Sequence, residues 1–432
     1  MSKKNYRRVK GTRDLLPTDF SKYKYVCDAF SSVAELYGYE RVETPAFEYL
    51  ELLEAKNPSI KDQIYWFVDK GGRKIGLRFD LTVPVARIVA QNPQLPKPIR
   101  YYYFSRMWRY EEPQKLRYRE FWQFGVELIG TPLIEGDAEV ISLAAKCFEK
   151  VGLGEIGIYI NDRILMENIL KEIGIKANAL EVFRIIDKIR KAGREELTLE
   201  LKALKLKDEQ IRKIFELVEE SGEFSRTSSY ILENFKGRQI KARTKALEEL
   251  FDLLDSYGVG KYLNFDLSIV RGLDYYTSLV FEIYETKNSR KIGSSLCGGG
   301  RYDELIGIYA KEKIPATGFA MGIDRIIEAL QTKKLLPTEK KLRVLVISDP
   351  KNSILLAEKL RKINIATLVD VNSRTLSKNL SFANKLKIDY VIIYKEREIR
   401  ENVLRIKDMN SGKEECIDVA KIDQFFKKLL TS

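Results

Sequence analysis

Residues 99–129 read IRYYYFSRMWRYEEPQKLRYREFWQFGVELI, and this stretch decides the fold. Its two ends, residues 99–107 and 121–129, are rich in aromatic and β-branched residues, a composition typical of strands. Between them, residues 108–120 are polar and rich in charge. The pattern predicts two antiparallel strands joined by a loop that is too long and too charged for a minimal hairpin, which indicates a functional loop.

Three residues of this hairpin are suited to binding a nucleotide. Arg109, at the end of the first strand, can bind a phosphate through two hydrogen bonds. Glu111, two residues later, is expected on the same face of the strand, where it can accept from an exocyclic amine. Phe121, on the returning strand, can stack on a base. The alternative is a surface hairpin whose charges are only solvated.

A second candidate is the segment RGLDYY, which begins at Arg271. It lies between the apolar runs FDLSIV, over 265–270, and LVFEIYE, over 279–285, which we expect to be strands. An arginine beside a glycine in such a turn suits an anionic ligand. The alternative is a β-turn in which Arg271 pairs with Asp274.

Two glycine-rich segments follow. The run CGGGRYD, over 297–303, allows close approach of the backbone to a ligand but lacks the GK[ST] sequence of a P-loop. The segment GFAMGIDR, over 318–325, predicts a strand that enters a helix, with Arg325 near the helix start. A phosphate there would be stabilised by the helix dipole and by Arg325.

The sequence of 432 residues contains no histidine. This excludes Ser-His-Asp and Cys-His catalytic sites, HExxH zinc sites and histidine-ligated haem. The four cysteines form no CxxC pair, which excludes the common zinc and thioredoxin signatures and favours a reducing, cytoplasmic setting. No stretch approaches the ~18 apolar residues of a membrane span, so we expect no membrane partner.

Composition also divides the chain. Residues 163–258 show a 3.6-residue apolar period without proline, which predicts an all-helical insertion. Residues 341–432 alternate apolar β runs with helical segments, which predicts a small α/β domain. Residues 340–432 hold 20 basic and 12 acidic residues, a net charge of +8 out of +13 for the whole chain. This excess predicts a nucleic-acid partner, the alternative being a solvated lysine-rich surface.

Together these segments resemble a known family. The hairpin with Arg109 and the later glycine-rich strand with Arg325 resemble motifs 2 and 3 of the class II aminoacyl-tRNA synthetases. ETPAFEYLELL, over 43–53, resembles motif 1, the usual dimer-interface element. Four further segments are similar to the histidyl-tRNA synthetase family: GTRDLLP, LRFDLTVPVAR, RGLDYYTSLVFEIY and GGGRYDEL.

The resemblance implies a fold and an activity. The fold is α+β, with an antiparallel-sheet catalytic core over 1–162 and 259–332, a helical insertion over 163–258, and a small α/β anticodon-binding domain over 341–432. The activity joins L-histidine to ATP as an adenylate and transfers it to the 3′ end of tRNA(His). The resemblance also implies a homodimer, a cytoplasmic setting and Mg²⁺ bound together with ATP.

On the nucleotide side, the resemblance implies that Arg109 clamps the α-phosphate and that Glu111 holds the exocyclic amine of adenine. Phe121 would stack under adenine, while Arg325 would stack on its other face and reach the γ-phosphate. Arg271 would lie between the histidine carboxylate and the α-phosphate. Its fixed positive charge would stabilise the reacting groups, so that activation needs no general base on the protein.

On the amino-acid side, the resemblance implies that Asp80, Thr82 and Gln123 receive the α-ammonium group. Glu127 and Tyr276 would bracket the imidazole nitrogens. A neutral imidazole offers one donor and one acceptor, which a carboxylate and a phenol can both satisfy. The full implied set is Asp80, Thr82, Gln123, Glu127, Tyr275, Tyr276 and Tyr302.

The resemblance also implies contacts with tRNA. The loop of the hairpin would meet the acceptor end through Gln114, Lys115, Arg117 and Arg119. The basic domain over 341–432 would read the anticodon, mostly through phosphate contacts that position the RNA. The helical insertion is a candidate for a clamp on the acceptor arm.

Three other functions are compatible with parts of the sequence. A synthetase-like paralogue that regulates histidine biosynthesis would usually lack the anticodon domain and the arginine of RGLDYY, both of which are present here. An RNA-binding sensor with an inactive site is disfavoured by the intact nucleotide-binding residues. The prolyl and threonyl synthetases would carry editing domains or zinc ligands, which the sequence lacks.

Overall fold

The computed structural model describes residues 6–55, 58–114, 116–176, 178–189, 192–270, 275–337 and 342–431. The chain forms two compact units, Met1–Leu336 and Pro337–Ser432. No helix in the described ranges is long and apolar enough to cross a membrane.

The first unit contains two sheets. Its strands are β1 (Glu40–Arg41), β2 (Phe47–Tyr49), β3 (Trp66–Val68), β4 (Lys74–Leu77), β5 (Ile99–Trp108), β6 (Glu120–Ile129), β7 (Ile156–Asp162), β8 (Leu263–Phe265), β9 (Leu279–Lys287), β10 (Arg290–Arg301) and β11 (Ala316–Gly322). The large sheet has the order β1-β5-β6-β11-β10-β9-β7-β8, and β2-β4-β3 form a separate small sheet. Within the large sheet, β1–β5 and β7–β8 are parallel and the other described pairs are antiparallel. The predicted antiparallel core is confirmed.

The predicted hairpin is the pair β5 and β6, which stay in register from Ile99 opposite Ile129 to Trp108 opposite Glu120. Each strand is one residue longer than predicted. Side chains alternate between two cores: Phe104 and Phe124 pack in one, and Tyr103 and Met107 in the other. The hairpin is buried on both faces because the sheet separates these two cores.

Helices cover the sheet and form a long segment between β7 and β8. They are α1 (Pro17–Leu36), α2 (Leu50–Glu54), α3 (Thr82–Gln91), α4 (Ile134–Lys150), α5 (Arg163–Glu172), α6 (Ala179–Ile186), α7 (Arg194–Ala203), α8 (Asp208–Glu219), α9 (Phe224–Asn234), α10 (Arg238–Ser256) and α11 (Ile323–Thr332). Short 3-10 helices span Pro58–Gln63, Gly260–Tyr262 and Ile306–Ile308. The boundaries of a separate insertion domain over 163–258 stay a prediction, because these helices belong to the same compact unit as the sheet.

The strand predicted over 265–270 is wrong for most of its length. β8 ends at Phe265. The carboxylate of Asp266 accepts a hydrogen bond from the backbone N–H of Ser268 at 3.0 Å. An aspartate that bonds the backbone two residues later forms a turn, which ends the strand despite the apolar residues that follow.

The glycines at 298–300 were expected to allow a ligand to approach the backbone, but only one of the three lines the cleft described below. They lie within β10. A Cβ atom on Gly299 would lie 2.4 Å from the carbonyl oxygen of Gly318, and one on Gly300 would lie 2.8 Å from Cδ1 of Tyr276. These two glycines therefore make room for neighbouring protein atoms, while Gly298 lines the cleft described below.

The second unit is an α/β domain, as predicted. Its strands are β12 (Arg343–Ile347), β13 (Ala366–Val369), β14 (Tyr390–Ile393), β15 (Val403–Asp408) and β16 (Glu414–Asp418). Its helices are α12 (Pro350–Lys362), α13 (Leu376–Lys385), α14 (Glu396–Glu401) and α15 (Ile422–Thr431), with a 3-10 turn at Val419–Lys421. The sheet order is β13-β12-β14-β15-β16, and helices pack on both faces around two apolar clusters.

Candidate active site

A cleft of about 280 Å³ lies against strands β6, β9, β10 and β11 of the large sheet. It collects most of the predicted binding residues, although they come from distant parts of the chain. The predicted residues that line it are Asp80, Thr82, Arg109, Glu111, Arg117, Phe121, Gln123, Tyr275, Tyr276 and Arg325. The predicted nucleotide and amino-acid residues thus meet in one cavity.

Glu127 lies next to this cleft, on β6, and is 1% exposed. Its carboxylate accepts a hydrogen bond from the Thr82 hydroxyl at 2.8 Å and one from the Tyr103 hydroxyl at 3.5 Å. The Tyr302 hydroxyl donates to the other carboxylate oxygen. Burial raises the pKa of Glu127 to about 8, although these hydroxyl donors oppose the shift.

Asp80 and Gln123 each carry a buried oxygen without a protein partner. Oδ1 of Asp80 accepts from the backbone N–H of Val83 at 3.3 Å, whereas Oδ2 has no hydrogen-bond partner among the described residues. The same holds for Oε1 of Gln123. Burial raises the pKa of Asp80 to about 6, and the nearby Arg109 opposes this shift. Two unsatisfied acceptors in one cleft favour a ligand with N–H donors.

Arginines form the other side of the cleft. Nε of Arg109 donates to the carbonyl of Phe79 at 3.1 Å, and its guanidinium lies 5.2 Å from the ring centroid of Phe121. Arg325, in the first turn of α11, donates to the carbonyl of Ser295 at 2.8 Å. Burial, together with the like charges of Arg117 and Arg109, lowers the pKa of Arg325. An anion would relieve the repulsion between these cations.

Glu111 lies in the cleft for a different reason from the one predicted. β5 ends at Trp108, so Arg109 and Glu111 do not share a strand face. Instead, the loop turns back on itself, and Glu111 forms an ion pair with Nε of Arg117 at 2.6 Å. The Glu111 carbonyl accepts from Nε of Arg119 at 2.9 Å.

The remaining predicted loop residues lie away from the cleft or outside the described residues. Gln114 exchanges backbone hydrogen bonds with Arg117 at 3.3 and 3.0 Å and lines a neighbouring cavity that also contains Arg117 and Arg325. Arg119 packs over the ring of Tyr110 at 4.3 Å and does not line the cleft. Lys115 lies outside the described residues.

Tyrosines close the cleft on the side of β9. The ring centroid of Tyr275 lies 4.7 Å from that of Tyr276 and 6.0 Å from that of Tyr302. Tyr276 and Tyr302 are buried. Arg271 lies outside the described residues, so its predicted position between the histidine carboxylate and the α-phosphate stays a prediction.

Sequence reasoning missed Tyr103, Tyr118 and Asp324. The first binds Glu127, and the other two line the cleft. The sequence carried a signal for Tyr103, because it lies opposite Gly125 in the hairpin. A Cβ atom on Gly125 would lie 2.4 Å from the Tyr103 hydroxyl. A glycine opposite a bulky side chain in a predicted hairpin therefore indicates that this side chain packs over the opposite strand.

Similarity to known proteins extends over almost the whole chain. The family model for histidyl-tRNA synthetase matches residues 11–326, and the model for the anticodon-binding domain matches residues 341–429. The chain is 42% identical over 421 residues to the histidine–tRNA ligase of Thermococcus kodakarensis, covering 95% of this chain and 96% of that protein. It is also 42% identical over 429 residues to the ligase of Pyrococcus horikoshii, covering 98% and 99%.

The chain belongs to the histidyl-tRNA synthetase family. Solved structures of histidyl-tRNA synthetases, which are class II synthetases, agree with this family. The histidyl-tRNA synthetase of Nostoc sp. PCC 7120 superposes with a TM-score of 0.84 at 27% identity, covering 98% of this chain and 99% of that one. A protein of Bacillus halodurans C, described as an ATP phosphoribosyltransferase regulatory subunit/histidyl-tRNA synthetase, gives 0.76 at 27% identity, covering 90% and 97%.

As a histidyl-tRNA synthetase, the chain is a ligase that uses ATP to activate histidine as an adenylate and transfers it to tRNA(His). The anticodon-binding domain over residues 341–429 agrees with tRNA as a substrate. A purely regulatory paralogue without that domain is therefore disfavoured, as are the synthetases for other amino acids.

Proposed function

We propose that Asp80, Thr82 and Gln123 bind the α-ammonium group of histidine. The observation that carries this proposal is the pair of buried, unpartnered oxygens, Oδ2 of Asp80 and Oε1 of Gln123, in one cleft. An ammonium group has three donors and would satisfy both. The Thr82 hydroxyl donates to Glu127 and can still accept, so it supplies a third acceptor. A bound cation would also lower the pKa of Asp80.

The imidazole of histidine would bind between Glu127 and Tyr276. Thr82, Tyr103 and Tyr302 hold the Glu127 carboxyl group in one orientation, which fixes the direction from which it meets a ring nitrogen. A rigid, buried polar group discriminates strongly against ligands that cannot bond to it. This arrangement supports selection of histidine over apolar amino acids of similar size. Tyr275 would complete the wall of the pocket.

The nucleotide would bind on the arginine side of the cleft. Arg109 would contact the α-phosphate, Glu111 the exocyclic amine of adenine, and Phe121 one face of the base. Arg325 would cover the other face and reach the γ-phosphate. Burial, together with repulsion from Arg117 and Arg109, lowers the pKa of Arg325, and a polyanionic ligand would relieve that repulsion. Arg109 lies over the ring of Phe121, so the α-phosphate on Arg109 and the adenine on Phe121 would contact neighbouring side chains.

Arg271 would stabilise the charge that develops between the histidine carboxylate and the α-phosphate. The carboxylate attacks phosphorus, and diphosphate leaves with the bonding electron pair, so no proton moves in this step. Positioning and fixed positive charge therefore suffice for the protein. This chemistry is compatible with a chain that has no histidine.

Mg²⁺ would enter with ATP and would neutralise part of the charge on its phosphates. The described residues contain no cluster of three His, Cys, Asp or Glu side chains that could hold a metal ion. The arginines of the protein would bind the phosphates of ATP. The nucleotide would contribute most of the oxygen ligands that Mg²⁺ prefers.

The same proposal extends to the partners and the setting. The acceptor end of tRNA would contact the charged loop through Gln114, Lys115, Arg117 and Arg119. The helices over 163–258 would clamp the acceptor arm, and the basic second unit would bind the anticodon.

The small sheet β2-β4-β3 would form a homodimer interface. It exposes apolar side chains, those of Phe47, Tyr49, Trp66, Phe67 and Val68. The enzyme would act in the cytoplasm.

ATP–diphosphate exchange with each amino acid in turn tests the site. Exchange with histidine alone is the expected result, and exchange with none would contradict an active adenylation site. Arg271→Ala should lower the rate of adenylate formation much more than the affinity for histidine. Equal losses in rate and affinity would contradict the role proposed for Arg271.

A further inference from the structure

The segment 9–13 lies directly against the charged loop between β5 and β6. The carbonyl oxygen of Gly11 accepts a hydrogen bond from the backbone N–H of Arg119 at 2.8 Å. Gly11 has a φ of +83°, and a Cβ atom on it would lie 2.8 Å from the Arg119 side chain and 3.1 Å from that of Pro113. The contact is therefore close enough, and the backbone unusual enough, to favour glycine.

Arg13 extends this contact to a second element that lines the cleft. Its guanidinium lies 4.0 Å from the ring centroid of Tyr118, a stacking distance. It also forms an ion pair with Asp324 and a hydrogen bond with the Tyr23 hydroxyl. Tyr118 belongs to the charged loop, and Asp324 belongs to the first turn of α11. One side chain thus connects two elements that both line the cleft.

Asp324 needs such a partner because its side chain is only 4% exposed. Besides the ion pair, it accepts from the Tyr23 hydroxyl at 2.5 Å and from the backbone N–H of Trp122 at 3.4 Å. A buried carboxylate that loses its cation is left uncompensated, and its surroundings then rearrange. The surroundings here include Phe121, which precedes Trp122 in the chain, and Arg325, which follows Asp324.

We infer that Arg13 is a positioning residue for ATP: it stacks on Tyr118 and pairs with Asp324, and thereby holds the charged loop and the Arg325 turn at the correct separation. Arg13 itself is not among the residues that line the cleft. Arg13 makes no hydrogen bond or ion pair with the histidine-side residues Asp80, Gln123 and Glu127 among the described residues, so its substitution should affect ATP binding more than histidine binding. The inference rests on the proposed ATP site.

The test is ATP–diphosphate exchange by full-length Arg13→Gln and Arg13→Lys, with KM measured separately for ATP and for histidine. Arg13→Gln should raise the KM for ATP by roughly tenfold or more, because small misplacements of binding groups have large effects. The KM for histidine should stay within about twofold of wild type. Arg13→Lys keeps the ion pair but loses the planar stacking group, so its KM for ATP should be intermediate.

Arg325→Ala separates this inference from the proposed site on which it rests. If Arg325→Ala leaves the KM for ATP unchanged, the proposed ATP site is wrong and the inference is overturned with it. If Arg325→Ala raises that KM and Arg13→Gln does not, the inference alone is overturned. Equal increases in the KM values for ATP and histidine in Arg13→Gln would indicate a general structural role and would also overturn it.

Tyr118→Ala keeps the proposal testable if Arg13→Gln does not fold, since it removes the ring but leaves the buried ion pair of Asp324. Its KM for ATP should rise while its KM for histidine stays constant. An unchanged KM for ATP in a folded Tyr118→Ala protein would overturn the inference. In the double variant Arg13→Gln/Tyr118→Ala, the increase in the KM for ATP should be smaller than the product of the two single increases. Both substitutions remove the same stacking contact.

Discussion

Gly318 lies directly opposite Glu127 in the pairing of β11 with β6, and a Cβ atom at position 318 would lie 2.2 Å from Oε2 of Glu127. It would also lie 2.4 Å from the carbonyl oxygen of Val126, a backbone atom that cannot easily move. The glycine is therefore needed for space rather than for its backbone conformation. The Glu127 carboxylate, which we propose to bind the substrate, thus packs against the backbone of the neighbouring strand at a position without a side chain.

Gly318→Ala should displace Glu127 and weaken histidine binding. We expect the KM for histidine in ATP–diphosphate exchange to rise by roughly tenfold or more, since a site built on buried hydrogen bonds is sensitive to their geometry. The KM for ATP should change little. Gly154→Ala is the matched control, because a Cβ atom there meets nothing within 4 Å among the described residues. Wild-type kinetics in Gly318→Ala would contradict this role of Glu127.

Glu127→Gln should change the pH dependence of stability in the ligand-free enzyme. Burial raises the pKa of Glu127 from an ordinary 4.5 to about 8, so its protonation favours the folded state. This contribution is fully present below the unfolded-state pKa and is lost as the pH rises through the folded-state pKa, by about 1.4 kcal/mol for each unit of pKa difference. The glutamine variant cannot titrate and should lose no such contribution.

The measurement for Glu127→Gln is the free energy of unfolding of both proteins between about pH 5 and pH 8.5. Relative to the variant, the wild type should become progressively less stable as the pH rises. Parallel curves would mean that Glu127 titrates near its ordinary pKa. Asp80, Tyr103 and Tyr302 are present in both proteins, so their own titrations largely cancel in the difference.

The hairpin and the α/β second unit could be predicted because their signals are local. Composition alone places β5 and β6 to within one residue. Contacts between distant segments carry no such signal: the Tyr23 hydroxyl bonds to Asp324 across 301 residues of chain. The loop position of Glu111 was also missed, because its pairing with Arg117 depends on how the loop folds back and not on strand period.

Phe121→Leu should weaken ATP binding. Stacking of a base on an aromatic ring is worth about 1–3 kcal/mol, so we expect the KM for ATP to rise by roughly 5- to 150-fold. The KM for histidine should remain close to that of the wild type, because the histidine-side residues keep their contacts. Phe20→Leu, at a 45% exposed position on α1, is the control for the substitution itself. An unchanged KM for ATP would show that adenine binds elsewhere.

Phe67→Glu should separate the proposed homodimer. Phe67 lies on β3, at the edge of the small sheet, and is 50% exposed in the isolated chain. Burying a carboxylate at an apolar interface is costly, so the variant should sediment as a single 50.0 kDa chain while the wild type sediments at twice that mass. Leu36→Glu, at an 85% exposed position outside this sheet, should leave the dimer intact. A wild type that sediments as a monomer would refute the interface, and a Phe67→Glu protein that remains dimeric would place the interface on another surface.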